Sequence, residues 1–288
     1  MSRYSYNNGD FWCDSVMTFV ATQKTLAETG APNPPVCATV RDNAGGDGSG
    51  AAARVGLVVL VDVKPAARLW GYAAFLLGRY RLRRAAGLRF FKMLGSGHDG
   101  GFGLKPSASR QGMFCVFDSD AAVDAFLASD PLIQRFRARA AEFFSVRLRA
   151  TSARGSWSGV RPFGATGAEP PTAAGTRTCV AALTRASIRP DKALPFWRHA
   201  PGAEVSLGQA PGCLLAVGLG EAPLLRQATF SIWTSAAAMD AYARRGAHQA
   251  AIRAAGAGSY FAESMFVRFV PYDAHGTWHG RAVSLAAT

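Results

Sequence analysis

Cysteine is scarce and unpatterned in this chain. Five cysteines (Cys13, Cys37, Cys115, Cys179, Cys213) stand in 288 residues, odd in number and without a C-x-x-C pair. That excludes a disulfide framework and a thiolate zinc cage as organising principles and reads as reduced, structural thiols. Long apolar runs are missing too. No stretch reaches the 18 or so residues that a membrane span needs, and the opening MSRYSYNNGDFWCDSV lacks the charged-then-apolar order of a secretory signal. These absences lead to the expectation of a cytoplasmic protein. Nucleotide and hydrolase fingerprints are also absent. The glycine-rich GSGHDGGFG (95–103) opens no helix as G-x-G-x-x-G and runs into Lys105-Pro106 instead of the Lys-Ser/Thr of a phosphate loop. It reads as a lid or a plain connection. No H-E-x-x-H, paired-carboxylate spacing or Ser/His/Asp order is present.

Acidic residues are the minority charge, 19 against 32 Lys and Arg, giving a formal net charge of +13. Such an excess favours an acidic partner: nucleic acid, an anionic membrane or an acidic protein. Nucleic acid fits poorly, because the basic residues are not interleaved with aromatics and no nucleic-acid motif occurs. Much of the charge (Arg79, Arg81, Arg83, Arg84, Arg89, Lys92) follows the apolar run LWGYAAFLLG (69–78). The plain reading is a solvated helix end beside a core helix, and the alternative is an interfacial helix with peripheral membrane contact.

What is present is a repeat. RQGMFCVFDSDAAVDAF (110–126) aligns with RQATFSIWTSAAAMDAY (226–242), so that Arg110 matches Arg226 and Phe126 matches Tyr242, an offset of 116 at both ends. Farther on, RGSWSG (154–159) matches HGTWHG (275–280), with Trp157 opposite Trp278 at an offset of 121; the five added residues fall at GAGSY (256–260). Residues 1–52, rich in Asn, Gly, Ser and Pro, read as a disordered extension, and 164–177 as a linker between units at 53–163 and 178–288.

Each unit reads as strand, helix, strand, strand, helix, strand. In the first, the helices are expected from Pro65 to about Arg84 and from about Asp120 to Glu142. In the second, they follow Pro190 and cover about 236–255. Ser119-Asp120 and Thr234-Ser235 supply N-cap oxygens. Strands such as GMFCVF are apolar on both faces, Phe114 and Val116 to one side and Cys115 and Phe117 to the other. One face can therefore cover helices while the other meets a second sheet. The expected architecture is α+β: tandem ferredoxin-like repeats forming an intramolecular dimeric α+β barrel, with the Gly-x-Trp motif closing each half after its last strand.

Three long segments, RLWGYAAFLLGRYRLRRAAGLRFFKMLGSG (68–97), GFGLKPSASRQGMFCVF (101–117) and SARGSWSGVRPF (152–163), together with HGTWHG, resemble the spheroidene monooxygenases, a family of acyclic-carotenoid oxygenases. The resemblance covers the chain after about residue 54. It implies that a keto group is introduced by two hydroxylations and loss of water near the methoxy end of a carotenoid such as spheroidene. It further implies consumption of O2 and reduced ferredoxin, and a haem (iron) cofactor. A basic surface would suit an acidic ferredoxin through electrostatic steering.

Beside that resemblance, the two second helices differ. At the offset of 116, Leu132, Ile133 and Phe136 become His248, Gln249 and Ile252, and alanine or glycine fills 246, 247, 250, 251, 254 and 255. Loss of that bulk leaves a cavity or room for a ligand. His248 shares a helical face with Ala241 and Ile252, so it is either a buried histidine with an ordinary hydrogen-bond partner or, as the resemblance favours, the iron ligand. Arg244, Arg245 and Arg253 are candidates for the haem propionates or are surface arginines. His275 and His279 read as turn residues. Trp70, Phe75, Phe90, Phe91, Phe117, Phe230 and Trp233 are candidate walls. Three readings stand: a haem-dependent carotenoid oxygenase, a cofactor-free monooxygenase on the same barrel, and a non-catalytic small-molecule or haem-binding module.

Overall fold

The computed structural model describes residues 54–97, 106–163, 179–191, 210–222, 225–243 and 261–285. The expected N-terminal extension and linker lie outside them, as does most of each helix expected in the second unit. Eight long antiparallel strands dominate: β1 (Val55–Val63), β2 (Leu88–Gly97), β3 (Pro106–Phe117), β4 (Ala140–Gly155), β5 (Val180–Ile188), β6 (Cys213–Ala222), β7 (Arg226–Trp233) and β8 (Phe261–Trp278); the two-residue β9 (Arg281–Ala282) edges β8. Their order is β4-β1-β3-β2-β6-β7-β5-β8, and β4 also pairs with β8, so the sheet closes on itself. Strand order within the first half, 4-1-3-2, recurs in the second as 8-5-7-6. Closure leaves no long edge to be protected.

Alternation along the strands sorts side chains to two sides. Val58, Leu60, Phe114, Val116, Leu183, Val217, Phe230 and Phe269 meet in one interior cluster, while Leu57, Val59, Val61, Met113, Cys115 and Phe117 face helices outside. Those helices are α1 (Arg68–Leu82), entered through a 3-10 turn at Pro65–Ala67, α2 (Asp120–Ser129) and α3 (Pro131–Arg139); the second half shows α4 (Ala236–Ala243). The N-caps form as the sequence predicts: Ser119 Oγ accepts from the Ala122 amide (3.3 Å) and Ser235 Oγ from that of Ala238 (3.1 Å).

Two expectations are corrected. The helix expected over 120–142 is two helices, because Pro131 has no amide hydrogen and its ring drives Asp130 into an extended conformation (φ −65°, ψ 124°). Asp130 then caps α3 by accepting from the Leu132 amide at 2.8 Å. The apolar run 69–78 is not a core helix. α1 lies on the surface, burying Gly71, Ala74, Gly78 and Leu82 while Leu69, Tyr72, Leu76, Leu77 and Tyr80 are exposed. Gln111 fixes this orientation by donating Nε2–H to the Gly71 carbonyl at 2.9 Å; a side chain at 71 would crowd Gln111 and Val63 of the sheet, and one at 78 would crowd Leu132 of α3.

The tryptophan motifs close the barrel reciprocally. Trp157 and Trp278 both turn into the interior, and each is followed by two residues of positive φ, Ser158-Gly159 and His279-Gly280. The amides exposed by the first turn do not bond within their own half. Glu263, at the start of β8, accepts from Gly159 N–H (2.7 Å), Ser158 N–H (3.0 Å) and Ser156 Oγ (2.8 Å). Glu142, at the start of β4, accepts in turn from His279 N–H (3.0 Å) and Gly280 N–H (2.6 Å). Gly155 and Gly276 lie where β4 and β8 meet. Both have positive φ, and a Cβ on either would overlap a main-chain carbonyl, of Ser264 or of Phe143.

Burial works against ionisation of Glu263. The Gly159 amide, the Ser156 hydroxyl, the Ser158 amide and the Arg185 guanidinium outweigh it and hold the carboxyl down at about 2. Because the folded value is depressed, its stabilisation is complete above the ordinary value of roughly 4.3 and fades as pH falls toward 2. Glu263→Gln should therefore lower unfolding free energy by about 3 kcal/mol at pH 7, since it strands Arg185 without its main counter-charge. The gap between parent and variant should shrink as pH drops below about 4. Urea unfolding at several pH values measures this, and a gap independent of pH contradicts it.

Candidate active site

The barrel interior is filled by side chains and is a core, not a channel. A site must lie on an outward face, and the two outward faces differ. Strand registers pair them position by position. Leu57, Val59 and Val61 of β1 correspond to Ala182, Thr184 and Ala186 of β5; Met113 and Cys115 of β3 to Thr229 and Ser231 of β7. Phe91 and Met93 of β2 correspond to Ala216 and Gly218 of β6, and Phe143 of β4 to Ser264 of β8. Ser145 against Phe266 and Phe117 against Trp233 run the other way. Val59/Thr184 and Cys115/Ser231 exchange side chains of similar size for hydroxyls, so six of these positions lose bulk on one face of one half.

On the first half the larger set is packed under α1, α2 and α3 through residues such as Ala74, Val123, Ile133 and Phe136. On the second, α4 starts in the equivalent place. Asp240 pairs with Arg268 at 3.3 Å just as Asp124 pairs with Arg147 in the first half. The anchor is retained while the sheet residues beneath it are mostly smaller. The face is also polar in an unusual way. Thr184, Thr229 and Ser231 are buried, Ser231 Oγ accepts from Trp233 Nε1 at 3.0 Å, and Thr229 Oγ1 has no hydrogen-bond partner among the described residues, as is also true of Ser145 Oγ in the first half.

His248, Arg244, Arg245 and Arg253 lie outside the described residues, as do His98 and His199. His275 is exposed and bonded through Nε2 to Asp273 Oδ1 at 2.7 Å, but it is not the expected turn residue: it lies within β8, paired with Ser145 of β4. His279 has positive φ in a turn, as expected. The candidate walls do not form one surface. Phe90 and Phe230 belong to the interior, Phe91, Phe117 and Trp70 to the helix-covered face of the first half, and Trp233 to the second-half face beside Tyr242 (5.4 Å between ring centroids). Burial raises the thiols of Cys115 and Cys179 and pushes that of Cys213 up to about 12, which leaves none of the three as a reactive thiolate. Among the described residues no group of three or more His, Cys, Asp or Glu is placed to hold a metal ion, and no helix is long and apolar enough to cross a membrane.

One buried polar cluster went unforeseen. Arg185, only 2% exposed, projects inward from β5 where β1 has Leu60, and it pairs with Glu263 and with Glu221 at 3.6 Å. Lys92 joins Glu221 at 2.8 Å, and Glu221 also accepts from Trp157 Nε1 at 2.9 Å. Burial opposes the charge on Glu221, but Lys92 and Trp157 hold its carboxyl below the ordinary range. Two cations balance two carboxylates, so this cluster seats Trp157 and is a structural element. The legible signal was the repeat itself, which sets an arginine opposite a leucine.

A closed, sheet-dominated α+β barrel is the class of fold that these elements define. A crystal structure of an aldoxime dehydratase shares the fold at 12% identity, with a TM-score of 0.50 over 78% of this chain and 83% of that one. No family model matches the chain. The spheroidene monooxygenase of Rubrivivax gelatinosus is 52% identical over 251 residues, 87% of this chain and 90% of that protein. The spheroidene monooxygenase of Rhodobacter capsulatus is 37% identical over 213 residues, 74% of this chain and 87% of that protein. The chain belongs to the spheroidene monooxygenase family.

Restoring the bulk tests the face directly. Ala216→Phe with Gly218→Met, which copies Phe91 and Met93 of the first half, should leave the thermal midpoint unchanged or raise it by about 2 °C while abolishing monooxygenase turnover. Full turnover with the face refilled places the site elsewhere.

Proposed function

We propose that this monooxygenase is a haem-dependent carotenoid oxygenase that converts a methylene of an acyclic methoxy-carotenoid such as spheroidene to a ketone. In this reading the two halves are tandem ferredoxin-like repeats closing an intramolecular dimeric α+β barrel, and a haem would bind at the outward face of the second half. The observation that carries it is the loss of bulk at six positions of the second half's outward face, which also carries the buried hydroxyls of Thr184, Thr229 and Ser231. His248 would hold the iron, and Arg244, Arg245 and Arg253 would pair the propionates.

A bound haem would supply oxygen-activating iron chemistry, with reduced ferredoxin as the source of electrons. Each of two hydroxylations puts one oxygen atom of O2 into a C–H bond and reduces the other to water with two electrons and two protons. The second gives a geminal diol, which loses water to leave the ketone. The chain's own residues do the positioning. Thr184, Thr229 and Ser231 offer hydroxyls to an otherwise apolar recess, Trp233 and Phe266 wall it, and the recess excludes water from the reacting carbon. A cofactor-free reaction is disfavoured because it draws its electrons from a readily ionised substrate carbon, which a polyene methylene is not. A non-catalytic module is disfavoured by the family. The polyene is insoluble in water, so the protein would collect it at the cytoplasmic surface of a membrane by peripheral contact, and its net positive charge suits an acidic ferredoxin.

His248→Ala should abolish or alter the Soret absorption of the purified protein and stop carotenoid oxidation, with added imidazole restoring part of the spectrum. His275→Ala should change neither. A His248→Ala protein with a parental spectrum and full oxygen-dependent turnover sinks the assignment, and His199 and His98 become the candidates.

A further inference from the structure

α1 is inside out. A helix on a water-soluble surface buries its large apolar side chains and exposes polar ones. Here Gly71, Ala74 and Gly78 face the sheet, while Leu69 is 86% and Leu77 63% exposed, with Tyr72, Leu76 and Tyr80 beside them. Of the seven large exposed hydrophobics among the described residues, these are five. Positions 69, 72, 76 and 80 recur at helical spacing and make one continuous stripe, with Leu77 at its margin. Rotation cannot hide it, because the Gln111–Gly71 bond and the tight glycine contacts hold the small face inward.

The stripe is set among cations. Arg68, Arg79, Arg81, Arg83 and Arg84 are exposed, and no Asp or Glu occurs between Asp62 and Asp99. Arg79 and Arg83 lie over the Tyr80 ring at 5.2 and 5.7 Å, which keeps both guanidinium groups at the border of the apolar stripe. We propose that α1 docks the protein on an anionic bilayer, lying in the membrane plane with Leu69, Tyr72, Leu76, Leu77 and Tyr80 at the headgroup–acyl boundary and the arginines on lipid phosphates. This deepens the membrane contact in the functional reading above, although the physical argument needs no substrate. A second copy of the chain is a poor occupant, since a two-fold contact through α1 would set these arginines against one another. An electron donor is a poor one also, since α1 belongs to the half that keeps its outward face filled.

Flotation of the full chain with phosphatidylglycerol/phosphatidylcholine vesicles, with no carotenoid present, tests this. Binding should be strong at low salt, weaken as salt rises, and be far weaker on phosphatidylcholine alone. A Leu69→Ser/Leu76→Ser/Leu77→Ser variant should lose at least about tenfold in partition, since three buried leucines contribute to insertion. Arg79→Gln, Arg83→Gln and Arg84→Gln should each lose about fivefold on anionic vesicles only. Both sets should keep the parental thermal midpoint and the parental turnover of detergent-dispersed carotenoid. Parental flotation by the leucine variant overturns the proposal, as does a parent that ignores anionic vesicles. A lipid-free dimer that the leucine variant dissociates would reassign the face to chain–chain contact. Vesicle binding by a protein with no oxygenase activity in any medium would sink the functional reading and leave the docking intact.

Discussion

Closure of the barrel depends on a carboxylate of one half receiving the turn amides of the other. Antiparallel pairing of β4 with β8 brings Glu142 to the turn after Trp278, and Glu263 to the turn after Trp157. Two consecutive residues of positive φ aim their amides the same way, and a carboxylate is the acceptor that satisfies both. Each half therefore lacks a partner for its own turn and supplies the partner for the other's. The glycines at 155 and 276 follow from the same constraint, because only a residue without Cβ lets the strands approach there. The two clasps are unequal. Glu263 also neutralises the buried Arg185, whereas the site corresponding to Arg185 in the first half is Leu60. One junction is consequently tied to a buried ionic cluster that reaches Glu221 and Lys92.

With the barrel closed and its interior filled, only the outward faces are free to diverge. Helix anchors are retained on both, as the pairs Asp124–Arg147 and Asp240–Arg268 show. Between those anchors one half keeps Leu, Val, Phe and Met where the other has Ala, Gly, Thr and Ser. The faces can diverge in this way because stability is secured by the filled half and the shared interior.

Much of this was legible in the sequence because it rests on periodicity and on the repeat. The strands, the N-caps at Ser119 and Ser235, the two-sided burial of Phe114 to Phe117 and the turn role of His279 all follow from local chemistry, whereas the turn expected at His275 is part of strand β8. The break at Asp130-Pro131 was legible as well and should have outweighed the helical pattern around it. Other features were hidden for physical reasons. The carboxylate clasps join residues more than a hundred positions apart, and Glu142 and Glu263 look like ordinary strand-edge acids. The emptied sheet face escaped notice because alternating small residues raise no signal until strand registers align the halves. The helix residues that did raise one, at 246–255, lie outside the described structure, so the site rests on its sheet side.

α1 shows why composition misleads about burial. LWGYAAFLLG has the content of a core helix, yet its glycines and alanines are what the sheet requires, since they admit the close approach that Gln111 and Leu132 enforce. Once the small residues face inward, the helical repeat leaves the leucines and tyrosines no direction but outward. The five residues 68, 79, 81, 83 and 84 then border that stripe with arginine and no acid. Inward packing thus determines the chemistry of the outer surface. The first half commits its outward face to three helices and presents an apolar, basic exterior, whereas the second carries smaller side chains at most of the equivalent sheet positions. The two halves thus diverge only where closure of the barrel leaves them free to.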